Sequence, residues 1–260
     1  MSGIKTALLI SGNGTTAEAV IKACQDRRLK NIDPFVISSK SDVPGIERAK
    51  KLNIATYVVD KKLFKSLEEF GEELLKVLEN LRTELILLCG WIPLIPGNII
   101  LRYKNRIINQ HPGPLDPGRA DFGGKGLSTP YRVTCARVGY VWLTGEDPWT
   151  EATTQFVEEK FDKGEVIKAL KVDLPIDKRQ ISFARLFQNQ DELMETTKKC
   201  VEYLYPHEYQ NVVDTLKDFS FGIVKNFKRA KPLIPSKNIY LLEQAKDLAI
   251  KLYPVFNLPK

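Results

Sequence analysis

KTALLISGNGTTAEAVIKACQD, residues 5–26, runs an apolar stretch into a Gly-Asn-Gly turn and then into a helical pattern. Ala19, Val20, Ala23 and Cys24 recur at helical spacing, so the stretch predicts a strand, a glycine turn and a helix. The pattern repeats downstream. Residues 35–38 predict a strand and 43–52 a short helix, with Pro44 in the first turn where its missing N–H does little harm. Residues 56–59 predict a third strand. Ser66-Leu-Glu-Glu69 is a capping box, opening a helix with Leu67, Phe70, Leu74, Leu78 and Leu81 on one face. Residues 85–89, LILLC, are continuously apolar, as expected of a strand covered on both faces. Strands alternating with helices imply an α/β fold with a Rossmann-like, doubly wound, mostly parallel sheet. Ligands of such sheets bind beyond the carboxyl ends of the strands. That rim would carry residues 12–16, 90–96 and 109–112, the last following a strand over 106–109. Further strands are expected at 153–157 and 166–174, a helix at 191–205 stopped by Pro206, and an amphipathic helix at 239–253.

The bulk properties narrow the function classes. At 260 residues, 43% hydrophobic and 27% charged, the chain can bury a real core and has the balance of an ordinary soluble protein. The amino terminus lacks the long apolar core of a signal peptide, and no run is long enough to cross a membrane. Cys24, Cys89, Cys135 and Cys200 are widely spaced, which argues against a zinc site or disulfide framework and for a reducing, cytoplasmic setting. The formal charge of +7 is spread along the chain, which suits phosphorylated small molecules as well as polyanions and disfavours a nucleic-acid partner.

Three motifs carry candidate chemistry. SGNGTT closes a strand and opens a helix, so Gly12, Asn13, Gly14, Thr15 and Thr16 could present backbone N–H groups and hydroxyls to an anion at the positive helix end. A plain tight turn with a threonine N-cap would give the same letters. Asn109 and His111 stand two apart in an extended segment and so point the same way. An amide and an imidazole aimed at one point suit a carbonyl carbon under attack, the first stabilising the oxyanion and the second moving a proton. Pro112 biases His111 towards extended backbone. A structural histidine at a strand end is the bland alternative. A working histidine needs a carboxylate to orient it, and Asp162 in the KFDKGEVI turn is the best placed, with Asp121, Asp147, Glu158 and Glu159 left open. His207 reads as a cap or surface residue.

Taken in order, ALLISGNGTTAEAVIKA, VISSKSDVPGIERAKKLNIAT, LLCGWIPLIPGNIILRYKNRIINQHPGPL, FGGKG and FVEEKFDKGEVI resemble the folate-dependent formyltransferases, over about residues 4–206. The resemblance is strongest to the branch that formylates glycinamide ribonucleotide in purine synthesis. It implies 10-formyltetrahydrofolate as formyl-donor cosubstrate and no metal. It also implies a catalytic set of Asn109, His111 and Asp162. Gly12 to Thr16 would bind the substrate phosphate, with Glu202 towards the ribose. Trp91, Ile92, Leu94 and Ile95 would line the pteridine pocket, closed by Glu158, Glu159, Lys160 and Phe161. Residues 1–206 would form the catalytic domain and 207–260 a C-terminal helical extension packed on or beside it. The expected partners are small molecules, with no membrane; a homodimer is an allowed assembly. The chain also departs from the pattern. Gly113 stands where a serine is usual, Asp116 adds a charge, Pro93 replaces an arginine and Gln155 a histidine. The helix glutamate is displaced to Glu202 or replaced by Val201, and residues 127–150 match poorly. These departures keep two alternatives in view: another amine acceptor, such as an amino sugar nucleotide or methionyl-tRNA, and a non-catalytic nucleotide- or folate-binding relative.

Overall fold

A computed structural model describes residues 3–124, 126–127 and 129–254. Lys125 of FGGKG, Ser128 in the poorly matching span, and 255–260 of the expected extension lie outside the described residues. The elements run β1 (Ile4–Ile10), α1 (Thr15–Gln25), β2 (Ile32–Ser38), α2 (Pro44–Lys51), β3 (Thr56–Val58), α3 (Leu67–Asn80), β4 (Leu85–Leu88), α4 (Gly97–Arg102) and β5 (Ile107–His111). They continue with α5 (Pro130–Thr144), β6 (Trp149–Phe156), β7 (Val166–Asp173), α6 (Phe183–Gln188), α7 (Gln190–Ser220) and α8 (Ile239–Leu252). The strands are hydrogen-bonded in the order β3-β2-β1-β4-β5-β6-β7, and every pairing among the first five is parallel. The order reverses at β1, which pairs with both β2 and β4, and this is the switch point beyond which doubly wound sheets bind their ligands.

Contacts divide the chain into two units. The first comprises Met1–Gln110, Thr154–Lys160 and Tyr209–Lys225. Its central strand β1 is buried on both faces: Leu8 and Ile10 alternate with Ala7 and Leu9, and all four are inaccessible. One face packs Phe35, Ile37, Ile86 and Leu88 against Phe70, Leu74 and Leu78 of α3. Each such Leu, Ile or Phe contributes about 1.5–3 kcal/mol by leaving water. Helix α3 is capped as its sequence predicts, Ser66 Oγ accepting from Glu69 N at 3.0 Å, while Glu69 reaches back one residue further, to Lys65 N at 2.9 Å.

The second unit comprises His111–Thr153, Phe161–Glu208 and Asn226–Lys260. Its centre is α5, which packs against α8 and is buried nearly all round. Phe122, Val133, Tyr140, Trp142, Leu242 and Leu248 are members of one cluster there. Helix α5 also buries two arginines. Arg132 donates to Tyr253 O and Gly126 O, each at 2.7 Å. Arg137 pairs with Glu146 at 2.6 Å and lies over the Trp149 ring.

One expectation is corrected. The helix stopped by Pro206 is instead α7, continuous from Gln190 to Ser220 with the proline inside it. A proline removes one intrahelical bond, but Val201, Leu204, Val212 and Leu216 are all buried, and their burial carries the helix across the gap. The boundary expected at 206–207 thus falls within one helix. Of the two readings left open for the glycine loop, the threonine N-cap is not formed: the cap position of α1 is Gly14, left-handed at φ 66°, with no side-chain cap bond. Among the described residues, no helix is long and apolar enough to cross a membrane.

Candidate active site

The sheet register builds the site. Leu9 pairs with Leu88, and Leu88 with Asn109, so one row crosses β1, β4 and β5. Gly12 and Gly90 lie just past that row, and β5 runs two residues further to end on His111. Strand alternation puts Asn109 and His111 on the same side of β5.

His111 is almost closed off from solvent. Its Nδ1 is 3.0 Å from the Gly113 carbonyl oxygen. A carbonyl only accepts, so Nδ1 carries the hydrogen and Nε2 is the basic nitrogen of the neutral ring. Nε2 faces Asp162 Oδ2 at 3.9 Å, with both side chains 4% exposed. That separation is an ion-pair distance for a protonated ring and too long for a hydrogen bond. Asp162 itself adopts φ 53°, in the left-handed region, and its Oδ2 accepts from Gly124 N at 3.0 Å. The FGGKG segment comes so close to Asp162 that a Cβ on Gly123 would lie 2.8 Å from Asp162 Cβ. The two distant motifs are therefore parts of one tightly fitted turn.

The other acids have different surroundings. Asp121 is buried and accepts from Asp116 N and Gly123 N at 3.0 and 3.1 Å. Asp147 is exposed, and its hydrogen bond with Lys178 holds its carboxyl below the usual range. Glu158, Glu159 and Lys160 are exposed, and Phe161 is partly so.

The glycine loop is tightly folded. Gly45 N donates to Gly12 O at 3.1 Å, and a Cβ on Gly14 would lie 2.9 Å from Gly45 Cα, so side chains are excluded where α1 and α2 begin. The first turn of α1, including Thr15 and Thr16, keeps backbone N–H groups without a side-chain cap. Ser11 Oγ joins this loop to its neighbours, meeting Ser39 Oγ at 2.7 Å and accepting from Ile92 N at 2.9 Å.

The segment after β4 divides its residues. Trp91 stacks on Phe70 with centroids 6.0 Å apart, and Ile95 joins the same core. Ile92 and Leu94 are 71% and 58% exposed. They border a cavity of about 440 Å³ shared with Pro93, Leu67, Lys40 and Lys61. On α7, Val201 is buried and Glu202 exposed, and burial, with the Glu202 charge second, holds the Tyr131 phenol above its ordinary value. Sequence reasoning missed the partly buried ion network in which Asp116 and Glu151 are buried and Arg119 and Arg229 half-buried, and the buried carboxyl of Glu208. Asp116 stood out only as an added charge in GPLDPG.

Comparisons with known proteins bear on the family and on the fold. The formyl transferase family profile matches residues 4–194. The trifunctional purine biosynthetic protein adenosine-3 of Gallus gallus is 32% identical over 63% of this chain, which spans only 15% of that protein's length. The phosphoribosylglycinamide formyltransferase of Escherichia coli K12 is 29% identical over 64% of this chain and 71% of its own. Among solved structures, the phosphoribosylglycinamide formyltransferase of Coxiella burnetii superposes with a TM-score of 0.65 at 24% identity, covering 90% of this chain and 97% of that one.

Proposed function

This chain belongs to the formyl transferase family, and from that membership we propose that it moves a formyl group from 10-formyltetrahydrofolate to the amine of glycinamide ribonucleotide. The observation that carries the reading is the His111–Asp162 pair, with Nδ1 bonded to Gly113 O and Nε2 turned to the carboxylate. The amine lone pair attacks the formyl carbon, and the carbonyl electrons move onto oxygen. The Asn109 amide and the protonated His111 ring support that oxyanion, and Asp162 supports the imidazolium. Collapse forms the new amide and breaks the bond to folate N10. The amine gives up one proton and N10 gains one, leaving formylglycinamide ribonucleotide and tetrahydrofolate.

The uncapped first turn of α1, with Gly12 to Thr16, supports a phosphate at that end. The exposed apolar side chains of Ile92 and Leu94 support a flat heterocycle beside the segment after β4, with Glu158 to Phe161 closing over it. Four free cysteines suit a reducing compartment, and we place the reaction in the cytoplasm. A second acceptor is favoured by one observation: Val201 is buried and Glu202 faces solvent, so a ribose contact from this turn of α7 is weakened. The test is incubation with 10-formyltetrahydrofolate and glycinamide ribonucleotide, beside a panel of other amines, with the N-formyl product read by mass spectrometry. His111→Ala should lower the rate by about 10²–10⁴-fold without changing the fold. A wild-type protein that formylates none of the amines would overturn the reading, and one that prefers another amine would replace its acceptor.

A further inference from the structure

The loop leaving His111, Pro112-Gly-Pro-Leu-Asp-Pro-Gly, has three prolines in seven residues, so it has few backbone donors with which to hold its own shape. Yet its Gly113 carbonyl must stay beside the His111 ring for Nδ1 to keep its hydrogen. The structure shows what holds it. Leu115 O accepts from Arg229 Nε at 2.8 Å, across 114 positions of sequence. Asp116 Oδ2 accepts from Leu233 N at 2.8 Å, and Asp116 Oδ1 takes both Nε and Nη2 of Arg119. Arg119 Nη2 also donates to Arg229 O at 3.0 Å. Arg229 is fixed in turn by an ion pair with Glu151 at the start of β6. Onward, Asp116 N donates to Asp121, Asp121 accepts from Gly123 N, and Gly124 N donates to Asp162. One run of contacts therefore joins residues 229–233 to both partners of the His111–Asp162 pair.

We propose that Arg229 and Asp116 are positioning residues for His111: they buckle the C-terminal segment onto the proline loop and so fix the ring's hydrogen on Nδ1. Ion pairs withdrawn from water add little net stability, because desolvation offsets their attraction, and in some proteins they instead select one geometry. Arg229 suits this task, since its planar fork meets the Leu115 carbonyl and the Glu151 carboxylate at once. A lysine would keep the charge and lose the second contact.

The proposal rests on His111 as the reacting imidazole of formyl transfer, and its test is read separately from product formation. The chain has two histidines, so ring nitrogen spectra of the full-length, ¹⁵N-labelled protein resolve into His111 and His207, the latter an internal control on α7. Wild type should show His111 as the Nδ1–H tautomer. Arg229→Lys and Asp116→Asn should fold cooperatively and keep unchanged His207 signals, with Asp116→Asn melting lower because its amide nitrogen meets an N–H donor where a carboxylate oxygen accepted one. In both variants the His111 ring should move towards mixed tautomers, and kcat should fall by about tenfold with KM unchanged. Should Arg229→Lys not fold, Asp116→Asn decides. Folded variants that keep both the His111 ring signals and kcat would overturn the proposal. If wild type forms no formylated product, the acceptor reading has failed, and the ring spectra alone still decide whether the buckle sets the tautomer.

Discussion

His111 Nε2 and Asp162 Oδ2 stand 3.9 Å apart, each on a side chain 4% exposed, with the ring's other nitrogen committed to a backbone carbonyl. The carboxylate can therefore act on the ring only through Nε2. Asp162→Asn keeps a side-chain oxygen for Gly124 N and a residue type that tolerates φ 53°, so fold and stability should be little changed. Removing the charge should nonetheless lower kcat by about 10²-fold or more. Asp162→Ala should lose activity similarly and also about 1–2 kcal/mol of stability, because alanine is strained in the left-handed region. Steady-state rates with denaturant melts of both variants check this; equal stabilities would remove the backbone argument.

Gly113 should resist the serine usual at its position. A Cβ there would lie 2.5 Å from Val133 Cγ1, on a buried, β-branched side chain of α5 that cannot swing away. Gly113→Ser should destabilise by about 1–3 kcal/mol. Val133→Ala in the same chain should recover much of that loss, although each change alone is harmful. A double-mutant cycle with additive effects would show that the loop moves aside instead.

These contacts show which parts of the molecule were legible in its sequence. The parallel strands were, because burial on both faces writes Leu8 to Ile10 and Leu85 to Leu88 as unbroken apolar runs. Asn109 and His111 were, because strand alternation is a local rule. Helix α5 was not: it is buried nearly all round, so its apolar residues have no helical period, and Arg132 and Arg137 inside it resemble a solvated face. The continuation of α7 through Pro206 was hidden because the local rule for proline yields there to burial on either side. Asp162 was the best placed acid in the sequence, and the structure adds its 3.9 Å approach to His111 and its close fit to Gly123 and Gly124. Arg229 carried no local signal and Asp116 only an added charge, since their meeting depends on residues more than a hundred positions apart.

The cysteines should be nearly inert in the native protein. Burial pushes the Cys135 thiol up to about 12 and those of Cys24 and Cys200 to about 11, with Cys89 higher still. At about pH 8, three units below its value, about one Cys24 in a thousand is thiolate, and only the thiolate reacts. Cys24 is the one cysteine not fully buried, so a thiol reagent should modify it first and slowly, with all four reacting promptly in denaturant. A rapid stoichiometric burst in native buffer would contradict this.

Glu208 gives the molecule a pH dependence of defined sign. Burial alone pushes its carboxyl from an ordinary 4.5 to about 8. The unfolded chain releases this proton near pH 4.5, while the folded chain holds it to about pH 8, so between these values the unfolded state binds fewer protons. Stability therefore falls as pH rises through that window, and the loss is complete above the folded value. Glu208→Gln has nearly the same shape and no proton to lose. It should melt close to wild type at about pH 4 and at a progressively higher temperature than wild type towards about pH 8. Melting both proteins across that range reads the difference directly. Parallel curves would mean that the carboxylate is accommodated in the folded state, by water or by a local opening of α7 around Pro206.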